Sequence, residues 1–299
     1  MTDPKNLEHL YNAHLHNVSD KWSSYLPAYD TVFSPYKDRP VNLLEIGVQN
    51  GGSLEIWAKY FHKSNRIIGF DINPKCEAII FENSGINLIV GDINNEDALE
   101  ELKAISTSLD IIIDDGSHLS SDIIKTFCKT FPLLNLGGVY VIEDLHCSYW
   151  KQFEGGLSAE HSSVEFFKRL VDVLNFEHWG LESSRRSYLK DFDIPETLSE
   201  GELACLHSIV FINSMCIIKK NAEGANLLGK RKVVGQVETV SLVRQVDNTS
   251  NETPPQTQSN RTLAETSRKP EVEALQRRIR LLENELLASR KKDSSADET

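Results

Sequence analysis

Two short polar clusters in the middle of the chain have the residue types and spacing for chemistry. Asp114-Asp115-Gly116-Ser117-His118 directly follows the apolar run Ile111-Ile112-Ile113, and Glu143-Asp144 directly follows Val139-Tyr140-Val141-Ile142. Carboxylates gathered at one place repel each other, and a cation is needed to offset that repulsion. If Asp115, Glu143 and Asp144 face one ion, the all-oxygen set selects a hard divalent cation, Mg²⁺ or Mn²⁺, and the absence of a nearby Cys/His cluster argues against zinc. Such an ion, with open positions, can hold two adjacent hydroxyls of a substrate and acidify one of them. His118, one turn beyond Asp115, suits a general base for that hydroxyl. The plainer alternative makes Asp115-Gly116 a simple turn and Glu143-Asp144 the cap of a loop. Two acidic clusters on successive strand ends, with a histidine between them, favour an active site.

The elements that must position these residues follow from the flanking patterns. Both apolar runs are β-branched or aromatic and too short for helices, so they predict strands buried on both faces. Between them, residues 120–131 place Ile123, Ile124, Phe127 and Phe131 at helical spacing, and Gly137-Gly138 closes a βαβ unit. In an open parallel sheet, ligands bind outside the carboxyl ends of the strands, where these acids fall. Upstream, residues 41–46 predict a first strand that runs into a Glu45-x-Gly47-x-x-x-Gly51 turn, and a helix with Leu54, Trp57, Tyr60 and Phe61 on one side follows. Gly47 and Gly51 allow close backbone approach to a ligand, beside the free N–H groups of a helix start. The spacing is neither that of a dinucleotide fingerprint nor that of a P-loop; it fits a nucleoside whose charged end is an amino acid.

A second strand, residues 66–71, ends in Asp71, about 20 residues beyond the turn, where an acid accepts from ribose hydroxyls. Asp71 as a helix N-cap before Pro74 is the equal alternative. A third strand, residues 87–92, ends in Asp92, at a position where an acid meets an adenine amino group. Helices are predicted at 96–105 and 164–176, and strands at 207–212 and 215–219 form a hairpin around Asn213-Ser214. Five parallel strands with crossover helices, then an antiparallel hairpin, make an α/β, Rossmann-like, mostly parallel seven-stranded sheet. This is the layout of class I S-adenosylmethionine methyltransferases.

The net charge of −12 over 299 residues argues against nucleic acid or an anionic membrane surface as the partner. The stretch from residue 221 onward is close to charge balance, so the acidity belongs to the part before it. Cysteines 76, 128, 147, 205 and 216 form neither a zinc spacing nor a disulfide framework and predict reduced thiols in the cytoplasm. No segment approaches the ~18 apolar residues of a membrane span, and Met1-Thr2-Asp3-Pro4-Lys5-Asn6 is too polar for a signal peptide.

Residues 1–40 mix aromatic and polar groups, with helical spacing over 22–33, and predict a helical lid over one sheet face. Lys21, Tyr25 and Tyr29 are the residues of this segment that could also line a pocket. Residues 41–220 form the core domain, and residues 221–269 a largely disordered linker, rich in Ser, Thr, Asn, Gln and Pro over 248–268. In residues 270–292, Val272, Leu275, Ile279, Leu282 and Leu286 follow a heptad seam. This short coiled-coil helix, marginal alone, would join copies of the chain or a partner protein.

Together Leu44-Glu45-Ile46-Gly47 with Gly51-Gly52-Ser53 and Trp57, Asp114-Asp115-Gly116-Ser117-His118, and residues 141–150 resemble the metal-dependent sugar O-methyltransferases of macrolide biosynthesis. Macrocin and mycinamicin methyltransferases belong to this group; cephalosporin hydroxylase-like and rhamnosyl O-methyltransferases are similar. The resemblance spans roughly residues 20–220. It implies that Asp115, Glu143 and Asp144 ligate Mg²⁺, that His118 is the base, and that Glu45, Gly47, Asp71, Asp92 and Asp114 surround S-adenosylmethionine. It also implies a sugar-containing acceptor. The macrolide enzymes carry a sizeable additional N-terminal domain, whereas this chain has about 40 residues before its first strand and a heptad tail. A catechol-like acceptor, with Tyr149 and Trp150 forming an aromatic slot, and a non-catalytic cofactor-binding scaffold are the alternatives. His146 is expected to be no more than pocket wall.

Overall fold

Apolar runs alternating with amphipathic stretches resolve into a layered α/β fold in the computed structural model, which describes residues 6–256. The chain begins with helices α1 (Leu7–Asn12) and α2 (Tyr25–Phe33), then β1 (Asn42–Ile46), α3 (Gly52–Tyr60), β2 (Arg66–Asp71) and β3 (Ile86–Val90). It continues through α4 (Glu96–Ile105), β4 (Leu109–Asp114), α5 (Ser120–Thr130), β5 (Leu134–Ile142) and α6 (Ser163–Leu174). The short helices α7 (Arg185–Tyr188) and α8 (Glu200–Ala204) lead to β6 (Leu206–Ile212) and β7 (Met215–Lys220).

The seven strands form one sheet in the order β3-β2-β1-β4-β5-β7-β6. The first five are parallel; β7 runs antiparallel to β5, and β6 antiparallel to β7. This is the class I methyltransferase layout expected from the sequence.

The period-2 alternation of the strands sorts the core into two layers. Ile112 and Tyr140 face one side, against Phe127 of α5 and Phe166, Phe167 and Leu170 of α6. Ile111, Ile113, Val139 and Val141 face the other side, against Trp57 of α3 and Tyr25, Tyr29 and Phe33 of α2. Tyr29 and Phe33 pack edge-on to Trp57, with ring centroids 5.1 and 5.7 Å away.

Two of the shifts from the predicted boundaries bear on the strand ends. Gly137-Gly138 lies within β5 rather than before it: Leu109 pairs with Leu134 and Ile111 with Val139, so residues 135–138 bulge out of the ladder. Gly137 adopts φ +80 there, and Tyr36 Oη donates to its carbonyl at 2.5 Å. β3 ends at Val90, which leaves Asp92 in the following turn, where its Oδ1 accepts from Asn94 N at 2.9 Å.

The described part of the expected linker carries short 3₁₀ turns at Glu223–Asn226 and Arg244–Val246 and a bridge between Lys230 and Ser250. The predicted heptad helix at 270–292 lies outside the described residues. Among the described residues, 177–182 and 252–256 group apart from the rest, and Thr253 Oγ1 donates to the carbonyl of Glu177 at 2.8 Å. Among the described residues no helix is long and apolar enough to cross a membrane.

The segment between α1 and α2 is tied down before it reaches the strand ends. Gly52 N donates to the carbonyl of Val18 at 3.2 Å, and a Cβ on Gly52 would sit 2.2 Å from the carbonyl oxygen of Asn17, so only glycine permits this approach. The buried Glu55 of α3 accepts from His16 Nδ1 (2.9 Å), Glu82 N (3.0 Å) and Asn17 N (3.2 Å). Burial alone would raise its carboxyl; the N–H groups of Glu82 and Asn17 and the His16 side chain outweigh that and hold it below the usual range.

A depressed carboxyl stabilises the fold above its unfolded value and loses that contribution as the pH falls through its folded one. Glu55→Gln should therefore cost about 1.5–3 kcal/mol at pH 7, the range for hydrogen bonds to a charged group. The gap to the natural protein should narrow as the pH drops below 4.5. Urea unfolding at pH 7 and pH 4 measures both; equal stability at pH 7 would remove Glu55 as the anchor.

Candidate active site

Parallel register brings the acids together. Asp114 at the end of β4 lies beside Ile142 at the end of β5, Asp115 N donates to the carbonyl of Ile46 at 2.8 Å, and Glu143 N to that of Asp114 at 2.9 Å. Glu45, Asp115, Glu143 and Asp144 therefore leave three adjacent strands at one edge of the sheet.

Residues of the N-terminal segment meet them there. Lys21 Nζ stands 2.5 Å from Asp115 Oδ2, 2.6 Å from Glu143 Oε1 and 3.1 Å from Glu45 Oε1, and its side chain is 2% exposed. The ammonium donates to Asp115 and Glu143 and forms an ion pair with Glu45, whose Oε1 has no hydrogen-bond partner. Tyr29 Oη donates to Glu143 Oε1 at 2.5 Å, and Ser53 Oγ to Glu45 Oε2 at 2.7 Å. Asp144 Oδ1 accepts from Trp22 Nε1 (3.0 Å) and Tyr25 Oη (2.8 Å), while Oδ2 lies 3.7 Å from His118 Nε2.

Asp115 accordingly belongs to two sets. Asp115, His118 and Asp144 offer ligand atoms within 4.8 Å of one another on the open side, and Glu45, Asp115 and Glu143 do so on the buried side. The carboxylate oxygens of both sets suit a hard divalent ion, and the open set adds the His118 imidazole. Burial opposes the charge on Lys21, but Glu143, Glu45 and Asp115 outweigh it and hold the amine well above its usual range. Burial raises the Glu143 carboxyl, against the pull of Lys21.

The backbone is strained where function would require it. His118 (φ +59) and Asp144 (φ +54) are both left-handed. That conformation costs a non-glycine residue about 1–2 kcal/mol, and it persists only where the surroundings enforce it.

Beside the acids lies a cavity of about 500 Å³, walled by the strand ends and by residues 18–21. Its volume is in the range of small-molecule sites. Seven aspartates line it against a single lysine, which selects a ligand carrying positive charge. Asp114 Oδ1 accepts from Gly116 N at 3.3 Å, but its buried Oδ2 has no hydrogen-bond partner, and burial pushes the carboxyl up to about 7. An oxygen left unsatisfied at a cavity wall is a place for a ligand's donor. Gly47, at φ +91, completes the cradle: a Cβ there would stand 2.0 Å from the carbonyl oxygen of Asp115. A nucleoside with cationic groups fits this lining.

Of the residues predicted from the sequence, Gly47, Asp71, Asp92, Asp114, Asp115, His118 and Asp144 line the cavity, and Glu45, Gly51 and Glu143 do not. Glu45 is fully buried beneath Ser53 and Lys21, and Glu143 beneath Lys21 and Tyr29. Gly51 faces the ring of Phe81, 2.7 Å from where its Cβ would be. Asp71 is on the wall, but its carboxylate is engaged: Oδ2 accepts from Val48 N (2.7 Å) and Gln49 N (3.0 Å), and Oδ1 from Asn73 N (2.8 Å).

Lys21 lines the cavity, whereas Tyr25 and Tyr29 reach the acids from behind. His146 is not on this wall; its Nδ1 is 2.5 Å from Ser214 Oγ, and its ring packs edge-on to Trp22 and Trp150. Trp22 and the wall residues Asp20 and Asp122 carry no sequence signal, because their partners are set only by folding.

Gly47→Ala should destabilise the protein by about 2 kcal/mol or more, since it combines a left-handed φ with a clash against Asp115. Urea unfolding reads the loss; an unchanged midpoint would mean that the turn does not approach Asp115 this closely.

Residues 44–145 match the methyltransferase domain family. Among curated proteins, the chain is 36% identical over 193 residues to an 8-demethyl-8-alpha-L-rhamnosyl tetracenomycin-C 2'-O-methyltransferase of Streptomyces olivaceus, covering 61% of this chain and 50% of that one. It is 37% identical over 181 residues to the demethylmacrocin O-methyltransferase of Streptomyces fradiae, covering 56% and 45%. Among solved structures, the MycE methyltransferase of the mycinamycin biosynthetic pathway, in complex with Mg, SAH and mycinamycin VI, is similar with a TM-score of 0.60 and 26% identity. That likeness covers 73% of this chain and 54% of MycE. The chain thus spans about half the length of the curated relatives it matches. Over residues 44–145 it matches a methyltransferase domain, and over a wider span it is similar to sugar O-methyltransferases.

Proposed function

We propose that this chain is an S-adenosylmethionine- and Mg²⁺-dependent O-methyltransferase acting on a sugar hydroxyl of a glycoside, glycolipid or polysaccharide. The observation that carries the reading is the convergence of Asp115, His118 and Asp144 at an acid-lined cavity beside Gly47. The rhamnosyl and mycinamycin methyltransferases among its relatives support a sugar acceptor.

Asp115, Glu143 and Asp144 would hold the ion, and Asp71, Asp92, Asp114 and Gly47 would surround the cofactor, with Glu45 and Gly51 shaping that wall from behind. When bound, the ion supplies a Lewis acid for the acceptor hydroxyl, and the cofactor an electrophilic methyl group. His118 Nε2 would take the proton of the acceptor hydroxyl, whose oxygen would then receive the methyl group that the cofactor supplies. Asp144 Oδ2 lies 3.7 Å from His118 Nε2, a carboxylate beside the imidazole that would receive the proton. Holding the acceptor in line is the remaining task. Trp22 (58% exposed), His146 and Trp150 (48% exposed) form a run of rings beside Asp144, apolar faces against which a sugar ring can lie. The half-exposed Tyr149 and Trp150 are what would favour a catechol-like acceptor instead.

The reading extends to a reducing, cytoplasmic setting, which the five free cysteines suit. It also assigns the heptad segment at 270–292 to joining copies of the chain or a partner helix. Sedimentation of the chain with and without residues 257–299 tests that assignment, and identical masses would discard it.

Incubating the protein with labelled S-adenosylmethionine, Mg²⁺ and a panel of glycosides, glycolipids and catechols tests the function. Label on sugars is the expected result; label on catechols alone would transfer the reading to that class. His118→Ala should lower kcat by about 10²–10⁴-fold with cofactor binding nearly intact. Retained turnover would exclude His118 as the base.

A further inference from the structure

The buried side of the acid cluster already holds a cation. The Lys21 ammonium stands 3.1, 2.5 and 2.6 Å from oxygens of Glu45, Asp115 and Glu143 and donates hydrogen bonds to the last two, so three carboxylates surround one buried positive charge. Two of those three carboxylates are residues read above as ligands of a divalent ion.

A metal bonded to the oxygens that Lys21 holds, at its usual distance of about 2.1 Å, would stand within about 5 Å of Nζ. The lysine is 2% exposed, so water would do little to screen that repulsion. Nor is the lysine's position an accident of a loose side chain. The segment that bears it is fixed on one side by the Gly52–Val18 and Glu55–Asn17 hydrogen bonds, and on the other by Trp22 and Tyr25 on Asp144. The backbone delivers Nζ to this spot, while the four-carbon stem leaves the ammonium free to swing.

We propose that Lys21 is a built-in counter-cation that competes with the divalent ion for Asp115 and Glu143 and thereby sets how tightly the ion is held. The inference rests on reading those two acids as ligands. Before the ion binds, Lys21 neutralises carboxylates that would otherwise repel one another in a buried place. Loading then transfers Asp115 and Glu143 from the ammonium to the metal. Lys21 acts through those acids and is a positioning residue.

Mn²⁺ alone, without cofactor or acceptor, is the probe, titrated into the full chain by calorimetry and by water-proton relaxation. Lys21→Met and Lys21→Gln should each bind Mn²⁺ about tenfold or more tightly than the natural protein, because a unit positive charge has left the cluster. Lys21→Arg, which keeps that charge, should not bind more tightly. The melting temperature of the neutral variants should rise more on Mn²⁺ addition than that of the natural protein, since the metal replaces the missing cation.

A lysine that serves only as a fold anchor predicts the opposite sign, and weaker or unchanged Mn²⁺ binding in the neutral variants overturns the proposal. So do neutral variants that stay unfolded at saturating Mn²⁺. Asp115→Asn separates the underlying reading: it should weaken Mn²⁺ binding by at least about tenfold, since even a residue that only supports a ligand costs that much. If it leaves binding unchanged, the ligand assignment falls, and this proposal with it. If it weakens binding while the neutral variants do not tighten it, only the role of Lys21 falls.

Discussion

Carboxylates cannot share a buried strand edge without positive charge among them. Two like charges 4 Å apart repel by about 4 kcal/mol at the effective dielectric of a protein surface, and by more where water is excluded. Here Glu45, Asp115 and Glu143 come from the ends of three adjacent strands whose register brings them side by side. The Lys21 ammonium among them, with the Tyr29 hydroxyl on Glu143 and the Ser53 hydroxyl on Glu45, is what lets the edge exist in a folded chain.

That requirement makes the N-terminal segment part of the site. Its aromatic residues do bury one sheet face, with Tyr25, Tyr29 and Phe33 packed among Trp57 and the strands. The same residues direct their polar tips at the acids: Tyr29 at Glu143, Tyr25 and Trp22 at Asp144. Tyrosine and tryptophan suit this double task, since each pairs a large apolar body with one hydrogen-bonding end. The segment can hold these positions because α3 anchors it through Gly52 and Glu55, away from the chemistry.

Backbone geometry divides the work on the opposite side. Gly47 lets the turn after β1 close against the Asp115 carbonyl, and Asp71 holds that turn through the N–H groups of Val48 and Gln49. His118 and Asp144 take left-handed conformations that aim an imidazole and a carboxylate at the same opening. A cavity wall assembled this way is stiff, rich in negative charge and short of donors. That combination suits a cationic nucleoside and an ion.

Much of this was legible from local pattern alone. Alternating apolar runs, helical spacing and turn residues placed β2 and α4 at their observed bounds, and the acids after β4 and β5 at neighbouring strand ends, because periodicity and chain direction are properties of adjacent residues. What the pattern could not specify was which acids face the cavity and what meets them. Glu45 and Glu143 turned inward and Asp144 outward through contacts with Lys21, Tyr29, Trp22 and Tyr25, some of them spanning more than a hundred residues of chain. The amino-acid order thus determined the sheet and the edge on which the charges gather. Only the folded chain decided how those charges are shared, because electrostatic partners are chosen by distance in space, and spacing along the chain does not encode it.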